Sequence, residues 1–168
     1  LQKARDRASE PVLAGLVDAR IGEFISAFLK ISAEEARVIQ KDYYRRYGTS
    51  MRGMMSEHGV HADDYLAYVH KIDHSPLEPN PAMGAAIAKL PCRKLILTNA
   101  PRVYALRVLD TLRLTGCFDG VIAIEDMTMF GEHRPKTDAR MLRHVLARLK
   151  LRPADCVLVA DTLEHQKA

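Results

Sequence analysis

The feature that most constrains the fold is a pair of short apolar segments, each of which ends in polar side chains. Residues 94–97 lead directly into Thr98 and Asn99, and residues 157–160 lead into Asp161. Short apolar runs of this kind are typical of strands that are buried on both faces of a parallel sheet. Ligands bind just outside the carboxyl ends of such strands, so these polar groups are the first candidates for a binding site.

Extended and helical segments alternate throughout the second half of the chain. In order, the pattern predicts strand 93–98, helix 101–115, strand 120–125, helix 138–149 and strand 156–160. This alternation favours a parallel sheet with helices on both faces, which is an α/β fold.

The first half of the chain, by contrast, contains only helical patterns. The expected helices cover residues 11–30, 32–47, 51–57 and 62–71. Ser32 and Glu35 have the spacing of a capping box, and Gly48 is placed to end the helix that this box opens. The sequence therefore predicts an all-helical unit before the sheet begins.

A proline-rich segment separates the two halves. Residues 73–81 contain three prolines, which prevents regular structure, and Asn80 caps the helix that follows. We expect two domains, a helical one over residues 1–75 and an α/β one over residues 76–168.

Composition narrows the possible partners. The chain of 168 residues is 48% apolar and 27% charged, and its net charge of +4 comes from basic and acidic residues that are mixed along the chain. The sequence has no block of like charge that would indicate a nucleic acid polymer as a partner. The small excess of basic residues suits a small anionic substrate. No apolar run of about 18 residues indicates a membrane span, and no pattern indicates an oligomeric state.

The cysteines indicate the compartment. Cys92, Cys117 and Cys156 are odd in number and lack metal-site spacing, so we expect free and mostly buried thiols. Free thiols suit a reducing environment, and a cytoplasmic location is predicted.

Three residues are the main candidates for chemistry. The Thr98 hydroxyl, together with the start of the helix at Pro101, could bind a phosphate, although a simple turn that caps the helix is the alternative. Lys136 could neutralise phosphoryl oxygens or could be an ordinary solvated lysine. Asp161 could bind a hard cation such as Mg²⁺ or could cap a helix.

Other polar residues are open to two interpretations. Glu125 and Asp126 could lie at the rim of the site or cap a helix, and Arg102 could contact substrate or cover a helix end. Tyrosines and methionines of the helical half could line a substrate groove or pack in the core: Tyr43, Tyr44, Tyr47, Met51, Met54 and Met55. The histidines are expected to be solvated on helix surfaces: His58, His61, His70 and His74.

The order of these residues resembles a known pattern. Thr98-Asn99, then Pro135-Lys136, then Asp161 resemble motifs two, three and four of the haloacid dehalogenase (HAD)-like hydrolase superfamily, subfamily IA. Longer strings are similar to its pyrimidine 5′-nucleotidase branch: Leu97-Thr98-Asn99-Ala100-Pro101-Arg102, Ala123-Ile124-Glu125, Arg134-Pro135-Lys136, Val157-Leu158-Val159-Ala160-Asp161-Thr162 and, in the helical half, Tyr43-Tyr44-Arg45-Arg46-Tyr47-Gly48.

The resemblance implies a fold and a set of roles. The fold would be an incomplete Rossmann-like core over residues 76–168, truncated at both ends. An inserted all-helical cap would cover residues 1–75, together with a remnant of the N-terminal segment. Thr98 and Asn99 would bind the phosphoryl group, Lys136 would stabilise it, and Asp161 would help to hold Mg²⁺.

The implied activity is hydrolysis of a small phosphate monoester. The substrate would be a nucleoside 5′-monophosphate or a similar phosphometabolite, and the reaction would pass through an aspartyl-phosphate with Mg²⁺. The Asp-x-Asp-x-Thr motif of the family is not found, so no nucleophile is expected in this chain and the fragment is expected to be inactive. Ala160 stands where many members have Glu.

Two alternatives remain open. The chain could be a non-catalytic phosphate- or nucleotide-binding protein, which the lack of the first motif and Ala160 would both fit. It could also catalyse another reaction of the superfamily, such as phosphosugar mutation or dehalogenation.

Overall fold

The order of elements separates a helical half from a half that contains strands. The computed structural model describes residues 10–129, 131–136 and 138–160. Its helices are α1 (Glu10–Leu29), α2 (Ala33–Tyr47), α3 (Ser50–His58), α4 (Ala62–Val69), α5 (Pro81–Ala88), α6 (Arg102–Thr111) and α7 (Ala139–Leu149). Its strands are β1 (Leu95–Leu97), β2 (Gly120–Ile122), β3 (Thr128–Met129) and β4 (Glu132–His133).

The ends of α2 are fixed by local hydrogen bonds, as the sequence predicts. The Ser32 hydroxyl accepts a hydrogen bond from the Glu35 backbone N–H, and the Glu35 carboxylate accepts one from the Ser32 N–H at 2.9 Å. Gly48 ends the helix with a φ of 78°, a left-handed conformation that glycine adopts without steric cost. The predicted capping box is confirmed.

Helices α1 to α4 enclose one apolar core. At its centre α3 crosses α2 so closely that a Cβ atom added to Gly53 would overlap the ring of Tyr43. Glycine at this position therefore permits the close approach of the two helices. The buried members of this helical core come from all four helices, from the loop after α3 and from the turn after β2: Ile25, Ala36, Tyr43, Met51, Met54, Val60, Tyr65, Val69 and Ile124.

The parallel sheet is small. Strands β1 and β2 pair in parallel, with Leu95 opposite Gly120 and Leu97 opposite Ile122. A second core lies beside them and contains Met127, Met141 and Val145. This parallel pair, with helices before, between and after its strands, confirms the α/β class with a helical cap. The domain boundary between residues 75 and 76 stays a prediction.

The structure corrects two expectations about strands. Residues 156–160, predicted as a strand, form no ladder, and Val157 and Val159 are 90% and 87% exposed. A strand requires a neighbour for its backbone N–H and C=O groups, and no described strand lies beside this segment. In addition, the loop before Lys136 contains an antiparallel hairpin of β3 and β4, which the sequence pattern did not indicate.

The thiols are free as expected, but they are not mostly buried. Cys92 and Cys156 are exposed, and Cys117 is half-buried. Cys92 precedes β1 by three residues, and residues 156–160 form no strand in which Cys156 would be buried. Separately, none of the helices in the described residues is both long enough and apolar enough to cross a lipid bilayer.

Candidate functional site

A cavity lies between the helical core and the carboxyl end of β1. Its volume is about 1050 Å³. The sheet side contributes Thr98, Asn99 and Lys136, which are three of the four residues to which the family resemblance gives a role in the site. The helical side is mostly apolar and includes Leu13, Val17, Ile21, Met51, Leu66 and Val69. The cavity is large enough to enclose a small organic ligand and its phosphate.

Thr98 is held at the end of the strand by two hydrogen bonds. Its backbone N–H donates to Ile122 O at 2.9 Å, which extends the β1–β2 ladder by one residue. Its hydroxyl oxygen accepts from the Ala100 N–H at 3.1 Å, so the chain turns immediately after the strand. Because the oxygen accepts this bond, the hydroxyl hydrogen remains available to a ligand in the cavity.

Asn99 connects the strand end to the loop that carries Lys136. Its side-chain Oδ1 accepts a hydrogen bond from the backbone N–H of Lys136 at 2.8 Å. The preceding Pro135 is buried. This bond joins residues that are 37 positions apart, and it places Lys136 beside Thr98 at the same cavity.

The charges around the cavity are mostly positive. The Lys136 side chain is half-buried, and its ammonium has no hydrogen bond or ion pair among the described residues. Lys41 and Arg45 of α2 also line the cavity, and Asp18 is the only carboxylate among the described residues that do so. A cavity with this balance of charges favours an anionic ligand.

A carboxylate of the chain itself lies at the start of α6. The carboxylate of Glu125 accepts a hydrogen bond from the Arg102 N–H at 2.9 Å, and phosphate binding at this helix end stays a prediction. Arg102 itself forms an ion pair with Asp126 and donates to Val121 O at 2.6 Å. Glu125 and Asp126 therefore act as caps and ion-pair partners, and Arg102 covers the helix end.

The metal prediction falls mostly outside the described residues. Asp161 lies beyond residue 160, so its position in the site stays a prediction. Within the described ranges, no group of three His, Cys, Asp or Glu side chains is arranged to hold a metal ion. These residues do not by themselves fit a Mg²⁺ site.

Sequence reasoning missed a polar group on the helical side of the cavity. Asp18 of α1, Gln40 of α2 and Tyr65 of α4 all line it. The Gln40 Nε2 donates to the Asp18 carboxylate and, at 3.3 Å, to the Asp18 carbonyl oxygen. One signal could have found Gln40, since it shares the buried face of α2 with Ala36 and Tyr43, where an amide is unexpected.

Three of the four histidines differ from the expectation of solvated side chains. The ring of His70, at the end of α4, contacts Tyr104 of α6 with centroids 4.7 Å apart and lines the cavity. Burial lowers the pKa of His70, opposed by a hydrogen bond to the Leu66 carbonyl and by Glu125. His74 contacts Tyr104 at 5.3 Å, while His58 shares a 2.7 Å hydrogen bond with the Tyr43 hydroxyl. Only His61 of the four is exposed.

The tyrosines and methionines divide between the core and the cavity. Tyr43 and Met54 belong to the helical core, and the Tyr47 hydroxyl donates to Glu57 on the surface. Tyr44 and Met51 line the cavity, and Met51 also contributes to the core. Both interpretations therefore apply within this group, and Met51 meets both of them.

Two comparisons relate the chain to known proteins. Phosphate metabolism protein 8 of Saccharomyces cerevisiae (strain ATCC 204508 / S288c) is 27% identical over 118 residues, which is 63% of this chain and 36% of the yeast protein. The chain thus spans about a third of the length of this curated relative. The sequence profile of the haloacid dehalogenase-like hydrolases matches residues 8–165. Because that match covers nearly all of the sequence, the chain belongs to the haloacid dehalogenase-like hydrolases.

Proposed function

We propose that this protein binds and hydrolyses a small phosphate monoester in the cavity between the helical core and β1. The observation that carries the proposal is the meeting of Thr98, Asn99 and Lys136 at one cavity, with the Lys136 ammonium unpartnered among the described residues. Membership of a hydrolase family and similarity to a protein named for phosphate metabolism support the same class of reaction.

Each residue on the sheet side has a distinct task in this proposal. The Thr98 hydroxyl donates a hydrogen bond to a phosphoryl oxygen, since its own oxygen already accepts from Ala100. Lys136 supplies positive charge to the phosphoryl oxygens, where negative charge is stabilised in the transition state. Asn99 acts as a positioning residue, because its side-chain oxygen is used to hold the Lys136 backbone.

The proposed substrate is a nucleoside 5′-monophosphate or a phosphometabolite of similar size. The cavity is large enough for a nucleoside, its helical side is mostly apolar, and the aromatic side chains of Tyr44 and Tyr104 lie on its wall. Lys41 and Arg45 add positive charge away from the sheet side. A cytoplasmic location belongs to this proposal and is supported by the free cysteines.

The aspartyl-phosphate route and the role of Asp161 with Mg²⁺ stay predictions. Among the described residues, no carboxylate lines the sheet side of the cavity. This observation favours one second candidate function, which is phosphate-ester binding without turnover.

The test measures binding and turnover with the same esters. We expect cytidine 5′-monophosphate and inorganic phosphate to bind in calorimetric titrations, and Lys136→Met to weaken both by about 10- to 100-fold, the usual worth of a charged hydrogen bond. Lys89→Met, an exposed lysine at the end of α5, is the matched control and should leave binding unchanged.

Turnover separates the two candidate functions. Release of inorganic phosphate from a panel of esters with Mg²⁺ present would support the hydrolase, and binding without release would support the binding protein. Release of halide from a haloacid with no phosphate release would contradict both. If wild type and Lys136→Met bind both phosphate ligands with equal affinity, this cavity is not the phosphate site.

A further inference from the structure

The helical side of the cavity contains a buried hydroxyl without a partner. Tyr65 lies on α4, lines the cavity, and is only 3% exposed. Its hydroxyl has no hydrogen-bond partner among the described residues. A buried hydroxyl that is left unpaired costs free energy, so native proteins rarely retain one without a reason.

The surroundings of this hydroxyl keep it protonated. Burial raises the pKa of Tyr65, and the negative charge of Asp18 raises it further. Tyr65 is therefore a neutral hydrogen-bond donor at any physiological pH. The ring is fixed by an edge-to-face contact with Phe24, whose centroid lies 5.0 Å away.

Asp18 adds an acceptor to this donor. Gln40 holds the carboxylate through Oδ1, and Oδ2 accepts no hydrogen bond from a described residue. The Tyr65 hydroxyl and the Asp18 carboxylate are close enough to interact electrostatically but are not hydrogen-bonded to each other. A ligand group that carries an acceptor next to an N–H or O–H donor could bind to both.

We propose that Tyr65, assisted by Asp18, is a specificity-determining residue that selects phosphate esters with a polar, hydrogen-bonding leaving group over apolar ones of similar size. This inference rests on the proposed phosphate site at Thr98 and Lys136. A ligand with an apolar leaving group would fill the same cavity but leave the Tyr65 hydroxyl unpaired. Sites that are built to hydrogen-bond a ligand reject analogues lacking the matching group for this reason.

The test compares two esters that differ in the polarity of the group beyond the phosphate. Cytidine 5′-monophosphate presents a ring nitrogen acceptor beside an amino donor, whereas 1-naphthyl phosphate presents only hydrocarbon. We expect Tyr65→Phe to weaken binding of cytidine 5′-monophosphate by about five- to tenfold, the usual worth of one neutral hydrogen bond. Binding of 1-naphthyl phosphate should be unchanged or tighter, because the orphan hydroxyl is gone.

A matched control tests whether any tyrosine hydroxyl of α4 would give the same result. Tyr68 lies three residues further along the helix, its ring stacks under the Arg20 guanidinium at 4.0 Å, and it does not line the cavity. Tyr68→Phe should leave both affinities unchanged. The melting temperature gives a second readout: Tyr65→Phe should melt at the same temperature as wild type or higher, because it removes a buried polar group without partner.

Each outcome supports or overturns the inference. Weakening of both esters to the same extent would show a merely structural role, and no weakening of cytidine 5′-monophosphate would show that the hydroxyl contacts no ligand. In both cases inorganic phosphate would still bind wild type, so the proposed function would survive. If neither ester nor inorganic phosphate binds wild type, the proposed function and this inference are both overturned.

Discussion

The helical half and the strand half of this protein bury their apolar side chains to different extents. In the helical half, α1 to α4 enclose a continuous core, and Ile25, Ala36 and Met54 are completely buried. In the strand half, β1 and β2 are only half-buried, and the second core has three buried members. The apolar residues 157–159 are exposed.

The difference in burial follows from how each half forms the hydrogen bonds of its backbone. Helices form their hydrogen bonds internally, so four of them need only match their apolar faces to form a core. Strands depend on neighbours that are distant in sequence, and the described sheet offers only the β1–β2 ladder. The cavity lies where the well-packed half meets the half that is less buried.

The largest expected effect tests this difference in packing directly. Met54 in the helical core and Met127 in the second core are both fully buried. We expect Met54→Ala to cost about 3–5 kcal/mol of unfolding free energy and Met127→Ala about 2–3 kcal/mol, since half-exposed neighbours can relax into the space. Urea unfolding monitored by circular dichroism measures both values. Equal costs, or a larger one for Met127, would contradict the comparison.

A smaller effect is expected where α2 and α3 make their closest approach. Gly53→Ala places a methyl group into the ring of Tyr43, and we expect a loss of about 1–3 kcal/mol from overpacking. Gly15→Ala is the control, because nothing lies within 4 Å of its added methyl group. That variant should gain about 0.5–1 kcal/mol from better helix propensity. If both substitutions shift the thermal midpoint in the same direction, the tight packing of the helical half is not supported.

The smallest effect concerns the boundary between the halves, where His70 contacts Tyr104. Burial lowers the pKa of His70 below its ordinary value of 6.5, against the opposing effects of the Leu66 carbonyl and Glu125. As the pH falls below that value, the unfolded chain binds a proton that the folded protein does not, so the free energy of unfolding decreases.

Substitution of His70 should remove this pH-dependent loss of unfolding free energy. We expect His70→Phe, which keeps an aromatic ring beside Tyr104, to lose less stability than wild type between about pH 7 and pH 5. His61→Asn replaces an exposed histidine and should keep the wild-type slope. Urea titrations at several pH values give the comparison, and parallel curves for all three proteins would show that His70 does not sense pH.

Local signals in the sequence were enough to predict the helices. The capping box at Ser32, the glycine stop at Gly48 and the Asn80 cap each depend on residues within one helical turn, and all three are observed. The strands before Thr98 and in residues 120–122 were also predicted, because a short apolar run between turn signals is distinctive. Thr98 and Asn99 reach the cavity because they directly follow β1, whereas Lys136 reaches it through the hydrogen bond between its backbone N–H and the Asn99 side chain.

What could not be predicted depends on contacts between distant residues. Residues 157–160 have the apolar pattern of a strand, but pairing needs a neighbour that the pattern itself does not supply. The same holds for His70, whose burial comes from Tyr104 on another element. Tyr65 was missed for a related reason, since a tyrosine on an apolar helix face does not indicate whether its hydroxyl finds a partner.

Because of the hydrogen bond between Asn99 and Lys136, the charge of the side chain at residue 136 and the position of the loop that carries it depend on different residues. The bond uses the backbone N–H of residue 136, so any side chain except proline at that position keeps the loop attached to the strand end. Variants of residue 136 would therefore change the charge of the cavity while the loop stays attached, whereas variants of Asn99 would change where that charge is held. During evolution, substitutions at residue 136 could therefore change the positive charge at the cavity while the conformation of the loop is kept.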